Sequence, residues 1–377
     1  MTSITEARYI RRTRLMTAQM VALAAVTMAL AGCGGGSGGS DNAAATPAAP
    51  ATTPVANFSI SGTVSGLHGQ SLQLKNGADT VTVNGDGSFV FPTSVASGST
   101  YSVTAVTPFW TQCSLQNQSG TVKTNVTVTV SCSTATATNS TFASGLSVPD
   151  ELALDASGNV YAATQNSNQV VKISSSGTVS VIGFTGLSVP NAVAVDSSGN
   201  VYTMNGANSL IKMSADGTTQ TVVAPGLPFS DAIAVDSNDN VYVADFNNSV
   251  VHKVTPGGTV TTVPASVPSP QAIAVDAAGN FYVFGTGGVI DKVDPTNGQI
   301  TALGSGITGG FGIAVDSKGN VYVTESGSGA VQEIEPDGTV ATLGTVNDPG
   351  GIAVRSDGGI YVGSRTPGTI VLLTPSH

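Results

Sequence analysis

Two sets of oxygen-bearing side chains recur at a fixed interval. Asp150, Asn191, Asp231 and Gln271 each stand just before a short apolar run. Asn205, Asp245 and Glu325 each stand nine residues after a position that is Asp in most copies of the same unit. The equivalent places in other copies hold Phe311 and Gly350 in the first set, and Thr164, Gly285 and Ser364 in the second. Carboxylate and amide oxygens are donors for hard cations. Their convergence would seat Ca2+, another divalent cation or a polar organic ligand. If a metal is held, Asn191 and Asp231 are the residues expected to ligate it. The plainer alternative is a hydrated channel mouth with no specific ligand. Other catalytic machinery lacks its residues. The histidines are His68, His252 and His377, and the cysteines are Cys33, Cys113 and Cys132. No Ser-His-Asp set or thiol nucleophile is available among the repeats, and no glycine-rich phosphate loop of the strand–loop–helix kind occurs. No residue is therefore assigned as catalytic.

The positioning comes from a repeated unit. Its clearest copy runs Ala232-Ile233-Ala234-Val235-Asp236-Ser237-Asn238-Asp239-Asn240-Val241-Tyr242-Val243. The Asp recurs at 155, 196, 236, 276 and 316, and the sixth copy has Arg355. A Tyr follows six residues later each time, at 161, 202, 242, 282, 322 and 361. A period near 40 with β-type content is the signature of propeller blades. In the second copy, 192–195 reads as the innermost strand a, 201–203 as b, 210–213 as c and 219–223 as d. The d–a and b–c loops fall on one face, where the two polar sets would ring the mouth of a central channel. The repeated Asp reads as structural. An Asp before a tight turn accepts backbone hydrogen bonds, and the Gly and Asn after it tolerate positive φ. The sixth copy ends after strand c. Residues 138–146 resemble the segment before each later repeat and are expected to supply the missing outer strand. That closure would complete six blades and remove two open sheet edges.

The pattern Pro-x-x-Ile/Val-Ala-Val-Asp-x-x-Gly-Asn-Val-Tyr-Val, over roughly 141–377, resembles NHL repeats. The resemblance implies an NHL-type propeller. It leaves function broad, since such propellers bind proteins, sugars and RNA and some relatives are enzymes. The unit is also distantly similar to lactonases of the gluconolactonase/regucalcin type. These are six-bladed and hold one divalent ion at the channel with Glu, Asn, Asn and Asp, two of them in Pro-Asn-Gly and Pro-Asp-Gly contexts. Pro190-Asn191-Ala192 and Ser230-Asp231-Ala232 match in part; each lacks the glycine, and the second lacks the proline. Glu325 or Glu151 would supply the acid. Peptide-amidating and virginiamycin-type lyases fit less well, because they need histidines that this ring lacks. His252 falls at a variable strand-c position and reads as structural or solvated.

Upstream, Arg8, Arg11, Arg12 and Arg14 precede an apolar run at 20–30. The run is too short for a membrane span and fits a signal peptide. Leu30-Ala31-Gly32-Cys33 resembles the lipobox of bacterial lipoproteins, which implies lipidation of Cys33; Gly34 after it implies the outer membrane. The Gly, Ser, Ala, Thr and Pro of 33–56 read as a tether. Residues 57–133 alternate in short strands around the turn signal Asn84-Gly85-Asp86-Gly87. About seven strands would make a small β-sandwich resembling immunoglobulin-like modules. In an exported domain Cys113 and Cys132 are expected to pair. Trp110 is the sole tryptophan and is expected in the core beside Cys113.

The chain thus reads as all-β: signal peptide 1–32, tether 33–56, disulfide-bonded β-sandwich 57–133, and six-bladed NHL-type β-propeller 134–377. A net charge of -10 argues against nucleic acid as the partner, since phosphate binding needs a basic face. The expected function is an envelope lipoprotein, held to the membrane through Cys33, whose propeller binds a protein, glycan or small molecule without catalysis. The alternative is a divalent-metal-dependent hydrolase acting at the channel.

Overall fold

The computed structural model describes residues 54–376, apart from 207, 228, 229 and 231. Cys33, the signal sequence and most of the tether lie outside the described residues, as does Asp231. The described residues form strands, with one 3-10 turn at Gln165–Ser167. None of them forms a helix long and apolar enough to cross a membrane.

The small domain holds two four-stranded sheets. One runs Gly87–Val90, Ile60–Ser65, Val126–Thr134 and Thr111–Gln116, its middle pair parallel. The other runs Asp79–Asn84, Ser71–Asn76, Thr100–Val106 and Ser119–Thr121. Successive side chains of a strand point to opposite faces. This sends Ile60, Leu72, Leu74, Val103, Val128 and Val130 into one core, each at most 1% exposed. Cys113 and Cys132 face each other in register on neighbouring strands and are disulfide-bonded.

From Pro149 onward the chain lays down antiparallel four-stranded sheets in sequence. The first is Pro149–Leu154, Val160–Thr164, Gln169–Ile173 and Val179–Val181; four more begin at Val193, Ile233, Ala272 and Gly310. The last sheet is composite. Pro349–Val354, Ile360–Ser364 and Thr369–Pro375 are completed by Ala137–Ser144, which runs antiparallel to Thr369–Pro375. The upstream segment expected to provide an outer strand does so, starting one residue earlier and ending two earlier than 138–146. First strands of consecutive sheets lie side by side, and that of the last sheet lies against that of the first. The result is a β-propeller around a channel. Each sheet is packed on both faces, so its second strand is buried along its length, as in Val160–Thr164, Val241–Asp245 and Ile360–Ser364.

The repeated Asp is a turn clip. Asp236 Oδ1 accepts the N–H groups of Asn238 and Asn240 at 2.9 Å each, and Oδ2 accepts Asn240 Nδ2 at 2.8 Å. Asp155, Asp196, Asp276 and Asp316 repeat this set of bonds. Over the Tyr of four copies lies a strand-c lysine, Lys172, Lys212, Lys253 or Lys292, its Nζ 5.1–5.6 Å from the ring centroid. In the sixth copy Arg355 lies over Tyr361 instead.

Trp110 is a correction. It does not pack in the small domain's core. It is 1% exposed within a propeller cluster that includes Tyr322, Val331, Leu343 and Ile360. Its Nε1 donates to the Gly358 carbonyl at 2.9 Å.

Candidate functional site at the channel and its loop face

Small side chains on the innermost strands let the sheets approach a common axis and leave a cavity of about 210 Å³. Its wall is mostly Ala, Val and Ile, with Asp150 and Glu151 as its carboxylates among the described residues. Glu151 Oε2 accepts the Val193 N–H at 3.0 Å, which ties the first inner strand to the second. Asp150 and Asn191 are buried, at 5% and 3% exposure. In the last copy no polar side chain continues the series. A Cβ on Gly351 would stand 2.5 Å from Glu151 Cα and 2.6 Å from Leu152 N, so the approach of those strands demands glycine.

The second polar set turns into the loops rather than the channel. Asn205 Oδ1 accepts the Ser188 N–H at 2.7 Å. Glu325 Oε1 accepts the Thr308 N–H at 2.7 Å, and its Oε2 accepts the Ser328 hydroxyl at 2.6 Å. Asp245 accepts the N–H and Nδ2 of Asn248 at 3.0 and 2.8 Å and lies 3.1 Å from His252 Nε2. Burial pushes the Asp245 carboxyl up, but the Asn248 bonds and His252 outweigh it and hold it below the usual carboxylate range. Thr164 and Ser364 do the same work as donors, to the carbonyls of Gln169 and Asn347 at 2.8 and 2.6 Å. The residue ending strand b is therefore a loop pin, and Asn205, Asp245 and Glu325 are not in the channel wall. His252 acts as a partner of one such pin.

Gln271 stands elsewhere again. It lines a cavity of about 380 Å³ with Phe246, Phe311, Ser326, Gly309 and Gly310, between b–c and d–a loops. Phe246 is 39% exposed. The Arg365 guanidinium lies 4.5 Å from the Phe311 ring centroid and pairs with Asp348 at 2.6 Å. The structure thus places Asp150 and Glu151 in the channel wall and buries Asn191 two residues before the second inner strand, while Asn205, Asp245, Glu325 and Gln271 stand in the loops.

One polar cluster escaped sequence reasoning. Glu333 takes the place of the strand-c lysine in the fifth sheet, opposite Tyr322, whose hydroxyl donates to Oε1 at 3.1 Å. Burial pushes the Glu333 carboxyl up to about 7, against the Tyr322 hydrogen bond. Lysine at the equivalent place in four copies was the available signal.

No family model matches the chain, and no curated protein matches it. Solved structures do. A putative gluconolactonase matches with a TM-score of 0.54 at 15% identity, over 64% of this chain and 92% of that one. A gluconolactonase from Xanthomonas campestris matches with a TM-score of 0.53 at 15% identity, over 64% and 90%. A virginiamycin B lyase from Staphylococcus aureus gives 0.48 at 13% identity, over 64% and 99%. At these identities the first two establish kinship of fold, that of a β-propeller.

Proposed function

We propose that this chain is a cell-envelope lipoprotein, anchored through Cys33, in which an immunoglobulin-like module of 57–133 carries a six-bladed NHL-type propeller that binds a ligand without catalysis. The observation that supports the reading best is the engagement of the polar rim. Asn205, Asp245 and Glu325 have their side-chain oxygens taken by loop donors. What the same loops leave open is the pocket of Phe246, Phe311 and Gln271. Two aromatic faces and one amide suit the flat apolar face of a sugar ring or a peptide side chain.

A second reading keeps the channel as a metal-dependent lactonase centre. It is favoured by the two carboxylates of the channel wall, Asp150 and Glu151, and by the burial of Asn191 just before the second inner strand. One experiment separates the two. The full-length protein is probed on a glycan and peptide array, and assayed with D-glucono-δ-lactone plus Mg2+, Ca2+, Mn2+ or Zn2+. The binding reading expects array hits that weaken at least tenfold in Phe246→Ala, and no metal-stimulated hydrolysis. Hydrolysis that is lost in Asn191→Ala overturns it in favour of the lactonase.

A further inference from the structure

Away from the channel, one cluster of ligand-type side chains stands where the small domain meets the propeller. His68 lies on the small-domain turn 66–69, and Glu335 and Asp337 lie on the turn after strand Ala330–Ile334. His68 Nδ1 is 3.7 Å from Glu335 Oε2 and 3.6 Å from Asp337 Oδ2, and the three atoms lie within 4.8 Å of one another. Each carboxylate has its other oxygen fixed. Glu335 Oε1 accepts the Thr134 hydroxyl at 3.3 Å, and Asp337 Oδ1 accepts the Thr339 N–H at 2.9 Å. Glu335 is 2% exposed, yet its Oε2 accepts no hydrogen bond. A carboxylate oxygen buried in that way is costly unless a cation meets it. The backbone that carries His68 is also held in place. Leu67 beside it is 1% exposed, the Leu67 N–H donates to Asp86 Oδ1 at 2.8 Å, and the Gln70 N–H donates back to the Leu67 carbonyl at 2.8 Å.

We propose that His68 Nδ1, Glu335 Oε2 and Asp337 Oδ2 bind a divalent transition-metal ion of the Zn2+ class, which staples the small domain to the fifth sheet of the propeller. The spacing fits. Two donors about 2.1 Å from a tetrahedral ion stand about 3.4 Å apart, close to the 3.6 and 3.7 Å found without one. The donor set fits as well. One imidazole with two carboxylates suits Zn2+, whereas Ca2+ takes about six to eight oxygens. Three protein ligands leave a fourth corner for water, which the 40% and 41% exposure of the His68 and Asp337 side chains admits. Thr134 and the Thr339 N–H are the outer partners that orient the two carboxylates, as ligand shells require. The cluster is independent of whatever the loop face binds, and it shares no residue with the channel.

The test is Zn2+ titration of the tag-free full chain after EDTA treatment, read by bound metal, calorimetric affinity and melting temperature. His68→Ala and Asp337→Asn change side chains that are 40% and 41% exposed; Glu335→Gln keeps the buried shape. The expected result is one Zn2+ per chain and a raised melting temperature. Affinity should fall at least tenfold in each variant, since loss of even an outer partner costs about 10–100-fold. A wild-type chain that takes up no Zn2+ overturns the proposal. So does Zn2+ uptake that is undiminished in His68→Ala and Asp337→Asn.

Discussion

The Tyr242 hydroxyl donates to Asp236 Oδ2 at 3.2 Å, so the carboxylate that closes the a–b turn also fastens strand b beneath it. Removing the carboxylate strands the Asn240 N–H and amide and the Tyr242 hydroxyl in a buried place, and frees the Asn238 N–H at the exposed edge of the turn. Asp236→Ala is expected to destabilise the chain by about 2–4 kcal/mol, and Tyr242→Phe by about 1 kcal/mol. Urea unfolding midpoints at unchanged slope measure both. If Asp236→Ala costs no more than Tyr242→Phe, the carboxylate is not the clip.

The same turns set the response to acid. Burial pushes the Asp236 carboxyl up, but the bonds from Asn240, Asn238 and Tyr242 outweigh it and hold it below the usual range. Asp155 and Asp276 behave alike. A folded pKa below the unfolded one means that the unfolded chain binds the proton more tightly. The stabilisation is therefore complete above the unfolded value of about 3.9 and is lost as pH falls through the lower folded value. The melting temperature should rise modestly as pH falls from about 7 to 5, because the Glu333 carboxyl, pushed up to about 7, takes its proton more readily in the fold, and should drop below about 4 as these turns are protonated. Asp236→Asn should melt lower at neutral pH and fall less steeply in acid. An acid limb parallel to wild type would remove this clip from the acid response.

The propeller was legible because each unit spells the same local chemistry. The Asp and Tyr six residues apart gave the turn and strand b, and residues 138–146 gave the closing strand. The rim was not legible. A periodic position shows which residues share a face, but not where a side chain turns; Asn205 is captured by the Ser188 N–H in its own loop. Trp110 was misplaced for a related reason. Cys113 is near it in sequence, whereas its hydrogen-bond partner Gly358 is 248 residues away, and no local pattern encodes that contact.

Trp110 offers a direct probe of how the small domain and the propeller hold together. It is the only tryptophan, and it is buried among propeller side chains. Its emission should be blue-shifted and poorly quenched by acrylamide, and should change with propeller unfolding. Trp110→Phe loses the bond to Gly358 and should cost about 1 kcal/mol. Trp110→Ala also leaves a cavity and should cost about 3–5 kcal/mol. Hydrogen exchange in Trp110→Ala should rise in 358–364 and stay slow in 71–76. Equal loosening of both segments would mean that the residue supports the small domain as well.

The closing strand can be tested without deleting it. Thr138 and Thr374 are direct partners across the Ala137–Ser144 and Thr369–Pro375 pair, and both are exposed. Cysteines at both positions would link the two ends of the propeller chain. A cross-link spanning so long a loop restricts the unfolded state and is worth about 5.5 kcal/mol on the chain-entropy model, less if the bond strains the pair. The oxidised Thr138→Cys/Thr374→Cys variant should therefore unfold at higher denaturant than oxidised wild type. It should also aggregate less on heating, because opening this pair exposes two unpaired sheet edges. Each half of that expectation reads the same event. If the cross-link forms and neither the midpoint nor the aggregation changes, the ring does not open at this pair, and unfolding begins at another sheet.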